Sequence, residues 1–138
     1  MRIKNIITGL VTVIAAALTL TACASNTNGA STAMSVNLSD FAFAPMTATV
    51  PAGKEITLNL KNTGKVLHEY VIIKAGEKVT LPFDDDDESK VYWENEVAAG
   101  ETKTVTFTAP SEAGVYDVVC GQPSHMEAGM KGTLTVVK

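Results

Sequence analysis

The loop CGQPSHMEAGM, residues 120–130, contains a thiol, an imidazole and a thioether at equal spacings. Cys120 stands five residues before His125, and His125 stands five residues before Met130. The chain has one other histidine, His68, which opens the apolar run HEYVII. One cysteine and two histidines in a plane, with a weak axial methionine, form the ligand set of a trigonal copper site. These four residues are therefore candidate ligands of a single metal ion.

The chemistry of this set favours copper over zinc, because thiolate and thioether ligands suit Cu(I) and imidazole suits both oxidation states. The loop lacks the open water position that hydrolytic metal chemistry needs, so we do not expect an enzyme. The alternative is ordinary packing, since single Cys and Met residues are often simply buried. The metal interpretation is favoured because it accounts for both histidines of the chain together with Cys120.

The start of the chain has the features of an export signal. Arg2 and Lys4 precede an apolar stretch over residues 6–20, and the sequence LTAC ends at Cys23. This pattern predicts a signal peptide over residues 1–22 and a lipid-modified Cys23, as at a bacterial lipobox. A retained transmembrane anchor is the alternative, but the stretch is shorter than the ~20 residues that span a bilayer. Both interpretations place the rest of the chain outside the cytoplasm, at a membrane facing the periplasm or on the cell surface.

Export bears on the second cysteine and on the choice of partners. If Cys23 is lipidated, Cys120 is a single thiol in an oxidising compartment, where metal binding would protect it. A Cys23–Cys120 disulfide is the alternative.

Without residues 1–22 the chain has fifteen acidic and nine basic residues, a net charge of −6. This charge argues against nucleic acid and for basic protein partners.

Most of the chain beyond the signal has the pattern of short β-strands. Residues 23–35 are small and polar and predict a flexible tether, which leaves residues 36–138 as one domain. Apolar residues alternate with polar ones, or β-branched residues cluster, between Gly and Pro turn signals. About seven such strands predict an all-β fold, a two-sheet antiparallel sandwich without amphipathic helices. The clearest strand segments are EITLNLKN (55–62), HEYVIIK (68–74), TVTFTAP (104–110), GVYDVVC (114–120) and GTLTVV (132–137).

One segment, residues 75–96, is long for a connection within such a sandwich. It contains an unbroken acidic run, here called the acidic segment, which consists of Asp84, Asp85, Asp86, Asp87 and Glu88. A concentrated negative patch would steer basic partners toward the protein. The alternative is a solvated loop that only maintains solubility.

Three stretches of the chain, DFAFAPMTATVPAGKEITLNLKNTG, HEYVI and CGQPSHMEAGMKGTLTV, resemble the cupredoxins. The resemblance covers residues 36–137 and is strongest for the group that contains auracyanin, azurin and plastocyanin. It implies an eight-stranded Greek-key sandwich and one type 1 copper ion bound by His68, Cys120, His125 and Met130. It also implies that electrons pass through the exposed edge of His125, framed by Pro123 and Met126.

The chain departs from the family at Glu69, because many cupredoxins have Asn directly after the first histidine ligand. The function that the resemblance implies is that of a monomeric, membrane-tethered carrier of single electrons between extracytoplasmic redox proteins, such as basic c-type cytochromes. The alternative is copper storage, delivery or resistance, and a third interpretation is a metal-free adhesive domain. Met46 follows Pro45 in an apolar stretch, which predicts a core position.

Overall fold

The structure is a computed structural model that describes residues 29–138. The predicted signal peptide, Cys23 and the first residues of the predicted tether lie outside the described residues. Within residues 29–138, no helix has the length and apolar character needed to cross a membrane. The described part of the chain forms nine strands, β1 (Ala33–Ser39), β2 (Ala42–Ala44), β3 (Thr47–Pro51), β4 (Glu55–Asn62), β5 (His68–Ile73), β6 (Val91–Val97), β7 (Thr102–Thr108), β8 (Gly114–Val119) and β9 (Lys131–Val137).

The strands form two sheets, which confirms the predicted β-sandwich. One sheet has the order β2-β1-β4-β7 and the other has the order β3-β9-β8-β5-β6. Most neighbouring strands are antiparallel, whereas the pairs β1–β4 and β3–β9 are parallel. The sandwich is thus mixed rather than wholly antiparallel.

The core follows from the alternation that predicted the strands. In β4 the side chains of Ile56, Leu58 and Leu60 are fully buried, and the residues between them face outward or are half-buried. Burying an aliphatic side chain of this size stabilises the fold by roughly 1.5–3 kcal/mol. The main core cluster and a smaller second cluster are formed by residues of the sandwich itself. Residues 29–138, here called the sandwich domain, therefore contain a complete core and the means to fold alone.

The first strand begins inside the segment that was predicted to be tether. Ala33–Ser39 forms β1, whose residues from Ala33 to Leu38 pair with β4 from Thr57 to Asn62. The prediction of a tether through residue 35 was therefore wrong at its end. The reason is packing, because Met34 lies against the core and Val36 is buried in it.

The long segment after β5 is more regular than predicted. Residues Asp85–Lys90 form a 3-10 helix, and the side chain of Asp84 caps it by accepting a hydrogen bond from the Asp86 N–H at 3.1 Å. The last six residues of the segment belong to strand β6, which pairs with β5. Seven strands were expected from the pattern and eight from the resemblance, and residues 29–138 form nine.

The topology brings the candidate ligands to one end of the sandwich. Strand β5 begins at His68, β8 ends immediately before Cys120, and β9 begins immediately after Met130. Because β5–β8 and β8–β9 are antiparallel pairs, the start of β5, the end of β8 and the start of β9 lie at the same end of the sandwich. This end is called the metal end below.

Candidate metal centre

Three of the four predicted ligands meet at the metal end with their donor atoms facing one another. Nδ1 of His68 lies 3.2 Å from Nδ1 of His125, and Sγ of Cys120 lies 3.3 Å from Nδ1 of His125. The third distance, from Sγ of Cys120 to Nδ1 of His68, is 4.0 Å. Among the described residues this is the group of His, Cys and carboxylate side chains whose ligand atoms lie within 4.8 Å of one another.

The donor set fits a copper ion. Metal–nitrogen bonds of about 2.0 Å and metal–sulfur bonds of about 2.3 Å allow one ion to reach three donor atoms with these separations. Two imidazole nitrogens and one sulfur suit copper, and the structure places no carboxylate within the group. The sulfur and His68 are fully buried, whereas His125 is half-buried. The residues therefore form a three-donor site with one ligand facing the surface.

The surroundings of Cys120 act on its sulfur in two directions. Burial raises the pKa of the Cys120 thiol, while the N–H groups of Glu69 and Gln122 oppose the rise. The Glu69 N–H points at Sγ from 3.4 Å. With copper bound, Cys120 would be a thiolate, and these two N–H groups would stabilise its negative charge.

Met130 is held beside the other ligands by the main chain. Its N–H donates to the carbonyl of His125 at 3.0 Å, and its carbonyl accepts from the N–H of Cys120 at 3.1 Å. The Met130 side chain is fully buried and belongs to the same core cluster as Cys120. Further hydrogen bonds inside the loop join Ser124 to Ala128 and Met126 to Gly129. The loop is therefore fastened at both ends and internally.

The predicted surface patch around His125 has different members from those expected. Met126 is only 3% exposed and packs in the second core cluster with Val71, Ile73, Phe83 and Val119. The prediction that Met126 frames His125 at the surface was therefore wrong. Ser124 has a φ of 67°. The Met126 side chain, two residues later, anchors the loop to the second core cluster. Pro123 is exposed, as expected.

Phe41, which was not predicted as a site residue, lies against His125. The two rings meet edge to face, with centroids 5.3 Å apart and planes at 88°, and Phe41 is 47% exposed. Its neighbour Asp40, also not identified, places Oδ1 3.3 Å from Nε2 of His68. The sequence did contain one signal for these two residues. The pair Asp40–Phe41 stands between two apolar runs, a pattern that is typical of a turn with an unpaired aromatic residue.

Met46 was predicted to be a core residue, and this prediction was wrong. Its side chain is 60% exposed near the start of β9.

Glu69 occupies the position where many cupredoxins have Asn, and its carboxylate lies over the metal-binding loop. A Cβ on Gly121 would collide with the Glu69 carboxylate, so this glycine leaves the space that the side chain fills. Burial raises the pKa of Glu69 to about 7, helped by the charges of Glu94, Glu96 and Glu88, whereas a hydrogen bond with Gln122 lowers it. Glu69 thus connects the strand that begins at His68 with the loop that begins at Cys120.

The acidic segment lies beside this same loop. Residues of the segment and of the loop line one surface pocket, which includes Asp84, Asp85, Glu88, Gly121 and Pro123. One member differs from the sequence prediction, since Asp87 is 2% exposed and its Oδ1 accepts from Lys90 Nζ at 2.7 Å. Asp87 is therefore buried and paired, and the outward charge of the segment comes from the other four residues.

Known proteins with a similar sequence and structure place this arrangement in a family. The family model of the cupredoxin-like domain matches residues 10–136. The chain is 32% identical over 111 residues to auracyanin-B of Chloroflexus aurantiacus, a match covering 69% of this chain. The match covers 47% of auracyanin-B, so the chain spans about half the length of this relative.

Solved auracyanin structures share the fold. The reduced auracyanin of Roseiflexus castenholzii superposes with a TM-score of 0.70 at 32% identity, covering 80% of this chain and all of the other. A structure of auracyanin B gives a TM-score of 0.66 at 28% identity, covering 77% and 88% of the two chains. Auracyanin A of Chloroflexus aurantiacus, described as a "blue" copper protein, gives 0.62 at 27% identity, covering 76% and 99%. The chain therefore belongs to the cupredoxin-like family, and His68, Cys120 and His125 form the site of its one copper ion.

Proposed function

We propose that this protein is a blue copper electron carrier that works outside the cytoplasm while tethered to a membrane by a lipid on Cys23. The observation that carries the proposal is the buried His68–Cys120–His125 group, whose donor atoms all lie within 4.8 Å of one another. Met130 is the fourth, weak ligand in this proposal. Copper bound there would accept and release one electron, cycling between Cu(II) and Cu(I).

The surrounding residues support fast electron exchange because they resist rearrangement. Cys120 and Met130 are joined by a main-chain hydrogen bond, and both are fully buried. His68 is the first residue of β5, which lies between two other strands of its sheet, and is also fully buried. Ligands held this firmly move little when the charge of the ion changes, so little energy is spent on reorganisation. The same burial opposes easy release of the ion, which favours the carrier over storage or delivery.

The electron would enter and leave at His125, the ligand that faces the surface. Phe41 and Pro123 are exposed beside it and form an apolar docking patch together with the His125 edge. Apolar residues at the centre of a small contact exclude water from the path between the two proteins. The sequence-based patch of His125, Pro123 and Met126 thus becomes His125, Pro123 and Phe41 in this proposal.

The acidic segment would guide basic partners, such as c-type cytochromes, toward the docking patch. Its exposed carboxylates share a pocket with Pro123, so the negative surface adjoins the patch instead of lying elsewhere on the domain. Charge of one sign next to a docking site raises the rate of encounter with a partner of opposite charge. This placement favours steering over a role in solubility alone.

The direction of β1 supports a tether that leaves the metal end free. The strand begins at Ala33, near the proposed anchor, and ends at Ser39, one residue before Asp40, which contacts His68. Seven residues of strand span about 23 Å. A chain anchored at Cys23 would therefore enter the domain at the end opposite to the copper site. The docking patch would then face away from the membrane.

The experiment measures electron transfer directly. The copper-loaded sandwich domain in its Cu(II) form is mixed with a reduced basic c-type cytochrome, and oxidation is followed by stopped-flow absorbance. We expect a fast second-order reaction whose rate falls at least several-fold between about 20 and 300 mM salt. A rate that is slow and independent of salt would contradict both the carrier role and steering.

Three further measurements test the remaining proposals. A copper delivery protein would lose Cu(I) quickly to a chelator, whereas the carrier should retain it for many turnovers.

The lipid anchor is tested by expressing the full chain and its Cys23→Ala variant in a bacterium and separating the membrane fraction from the soluble fraction. We expect the protein in the membrane fraction and the variant outside it; equal distribution would contradict the lipid anchor. Gel filtration of the sandwich domain tests the expected monomer.

A further inference from the structure

The short turn between β1 and β2 touches both imidazole ligands from outside the copper site. Oδ1 of Asp40 lies 3.3 Å from Nε2 of His68, and the ring of Phe41 meets the ring of His125 edge to face. These two residues are adjacent in the chain but reach two ligands that lie 57 positions apart. One turn therefore contacts both histidines of the site.

The contact with Asp40 determines which nitrogen of His68 is free to bind a metal. Nδ1 of His68 faces His125 and Cys120, while Nε2 faces the Asp40 carboxylate. A carboxylate only accepts hydrogen bonds, so the proton of a neutral imidazole in this position is on Nε2. The lone pair of Nδ1 then points into the site. A carboxylate on the far nitrogen also makes the imidazole a stronger donor.

The structure around Asp40 is built to hold this contact. The same oxygen, Oδ1, accepts the N–H of Lys65 at 2.9 Å. Gly64 lies directly over the pair, since a Cβ at that position would collide with Oδ1 of Asp40 and come within 2.7 Å of Nε2 of His68. The loop before β5 thus supplies both a donor for the carboxylate and the space that it occupies.

The conformation and exposure of Phe41 also indicate that this turn has a role at the site. It has a φ of 68°, a backbone conformation that is uncommon for a bulky residue, and it leaves nearly half of its ring exposed. Neither feature helps to form a core. The ring lies instead against the imidazole of His125, with centroids 5.3 Å apart.

We propose that the Asp40–Phe41 turn is a positioning element for the copper site, in which Asp40 fixes the tautomer and donor strength of His68 and Phe41 restrains His125. The proposal deepens the carrier function, on which its role in electron transfer rests. A stronger nitrogen donor stabilises Cu(II) more than Cu(I). Asp40 therefore lowers the reduction potential of the copper ion.

The first test compares Asp40→Asn and Asp40→Ala with a matched control, Asp117→Asn. The carboxylates of Asp40 and Asp117 have similar side-chain exposure, 36% and 38%, and Asp117 pairs with Lys78 instead of a ligand. Asn keeps an oxygen for the Lys65 N–H and removes the charge, so this variant retains the loop contact. We expect Cu(II) affinity, measured by chelator competition, to fall by about 10- to 100-fold in both Asp40 variants. Cu(I) affinity should change less, and the reduction potential should rise.

The second test needs no copper. In the metal-free sandwich domain, nitrogen NMR shifts report the tautomer of His68, and we expect the Nε2-protonated form in the wild type and in Asp117→Asn. In Asp40→Ala the two tautomers should mix. If His68 keeps one tautomer in Asp40→Ala, and Cu(II) affinity in both Asp40 variants matches the control, the assignment to Asp40 is overturned. Slow electron transfer in the wild type would overturn the carrier function while leaving the tautomer result intact.

The Phe41 part is tested by ring mobility. NMR relaxation of the His125 imidazole is measured in metal-free Phe41→Ala, with Val115→Ala as the control because Val115 is an exposed apolar residue on β8 near its far end. We expect increased motion of the His125 ring only in Phe41→Ala. Equal ring motion in the two variants would overturn the restraint by Phe41.

Discussion

Glu69 should make the stability of the metal-free domain depend on pH in a way that a single substitution removes. Its carboxylate is half-buried on β5, and strand pairing places Glu69 directly opposite Glu96. Burial and the neighbouring Glu94, Glu96 and Glu88 raise the pKa of Glu69 from 4.5 to about 7. Replacing Glu69 with Gln keeps the shape of the protonated side chain and removes the charge.

The direction of the pH dependence follows from whether Glu69 binds its proton more tightly in the folded or in the unfolded state. Because the folded-state pKa lies above the unfolded value, the contribution to stability is full below pH 4.5 and is lost as the pH rises through 7. The whole shift corresponds to about 3 kcal/mol. Solvent screening of a half-buried group reduces this to about 1–2 kcal/mol. We therefore expect Glu69→Gln to be more stable than the wild type by that amount at about pH 8 and equal to it at about pH 4.

Urea denaturation of the metal-free domain, with Cys120 kept reduced, measures the difference at the two pH values. Glu77→Gln serves as the control because Glu77 is exposed after β5. Its effect on the free energy of unfolding should be the same at both pH values. A Glu69→Gln effect that is also independent of pH would refute the reasoning about burial and neighbouring charge.

Four other variants test the packing of the metal end and the role of the acidic segment. Gly121→Ala should destabilise the metal-free domain by about 1–3 kcal/mol in urea denaturation, because a Cβ there meets the Glu69 carboxylate; a neutral effect would contradict that contact. Met126→Ala should cost about 2–5 kcal/mol in the same assay, and a cost below about 0.5 kcal/mol would contradict its role as the loop anchor. Neutralising the four exposed carboxylates of the acidic segment should flatten the salt dependence of cytochrome oxidation. Asp87→Asn should leave that dependence intact and lower stability, since it leaves Lys90 without its partner; the reverse pattern would contradict steering.

The ligands His68, Cys120 and His125 were predictable because few residues of the chain have imidazole or thiol side chains. With two histidines in the whole chain, Cys120 and a regular loop left little choice of site. Strands β4, β5, β7, β8 and β9 were predictable for a similar reason, since their apolar residues alternate or cluster between turn signals. Strand β6 was missed although VYWENEV alternates, because the preceding acidic run suggested a loop.

The features that sequence reasoning missed depend on contacts between distant parts of the chain. Asp40 and His68 are 28 residues apart, and no local pattern joins them. Met126 follows His125 directly, yet its side chain points into a core cluster while Phe41 occupies the surface beside His125. Neighbours in sequence therefore did not identify neighbours on the surface, because the loop backbone determines which way each side chain turns.

The most direct test of the copper site is a Cu(II) titration of the sandwich domain followed by visible absorption. A thiolate bound to Cu(II) in a trigonal site with two imidazoles gives an intense blue colour. We predict that the colour saturates at one equivalent of copper, disappears on reduction and returns on oxidation. It should be absent from Cys120→Ser. A colourless wild-type product, or a blue colour that persists in Cys120→Ser, would contradict the copper site assigned to His68, Cys120 and His125.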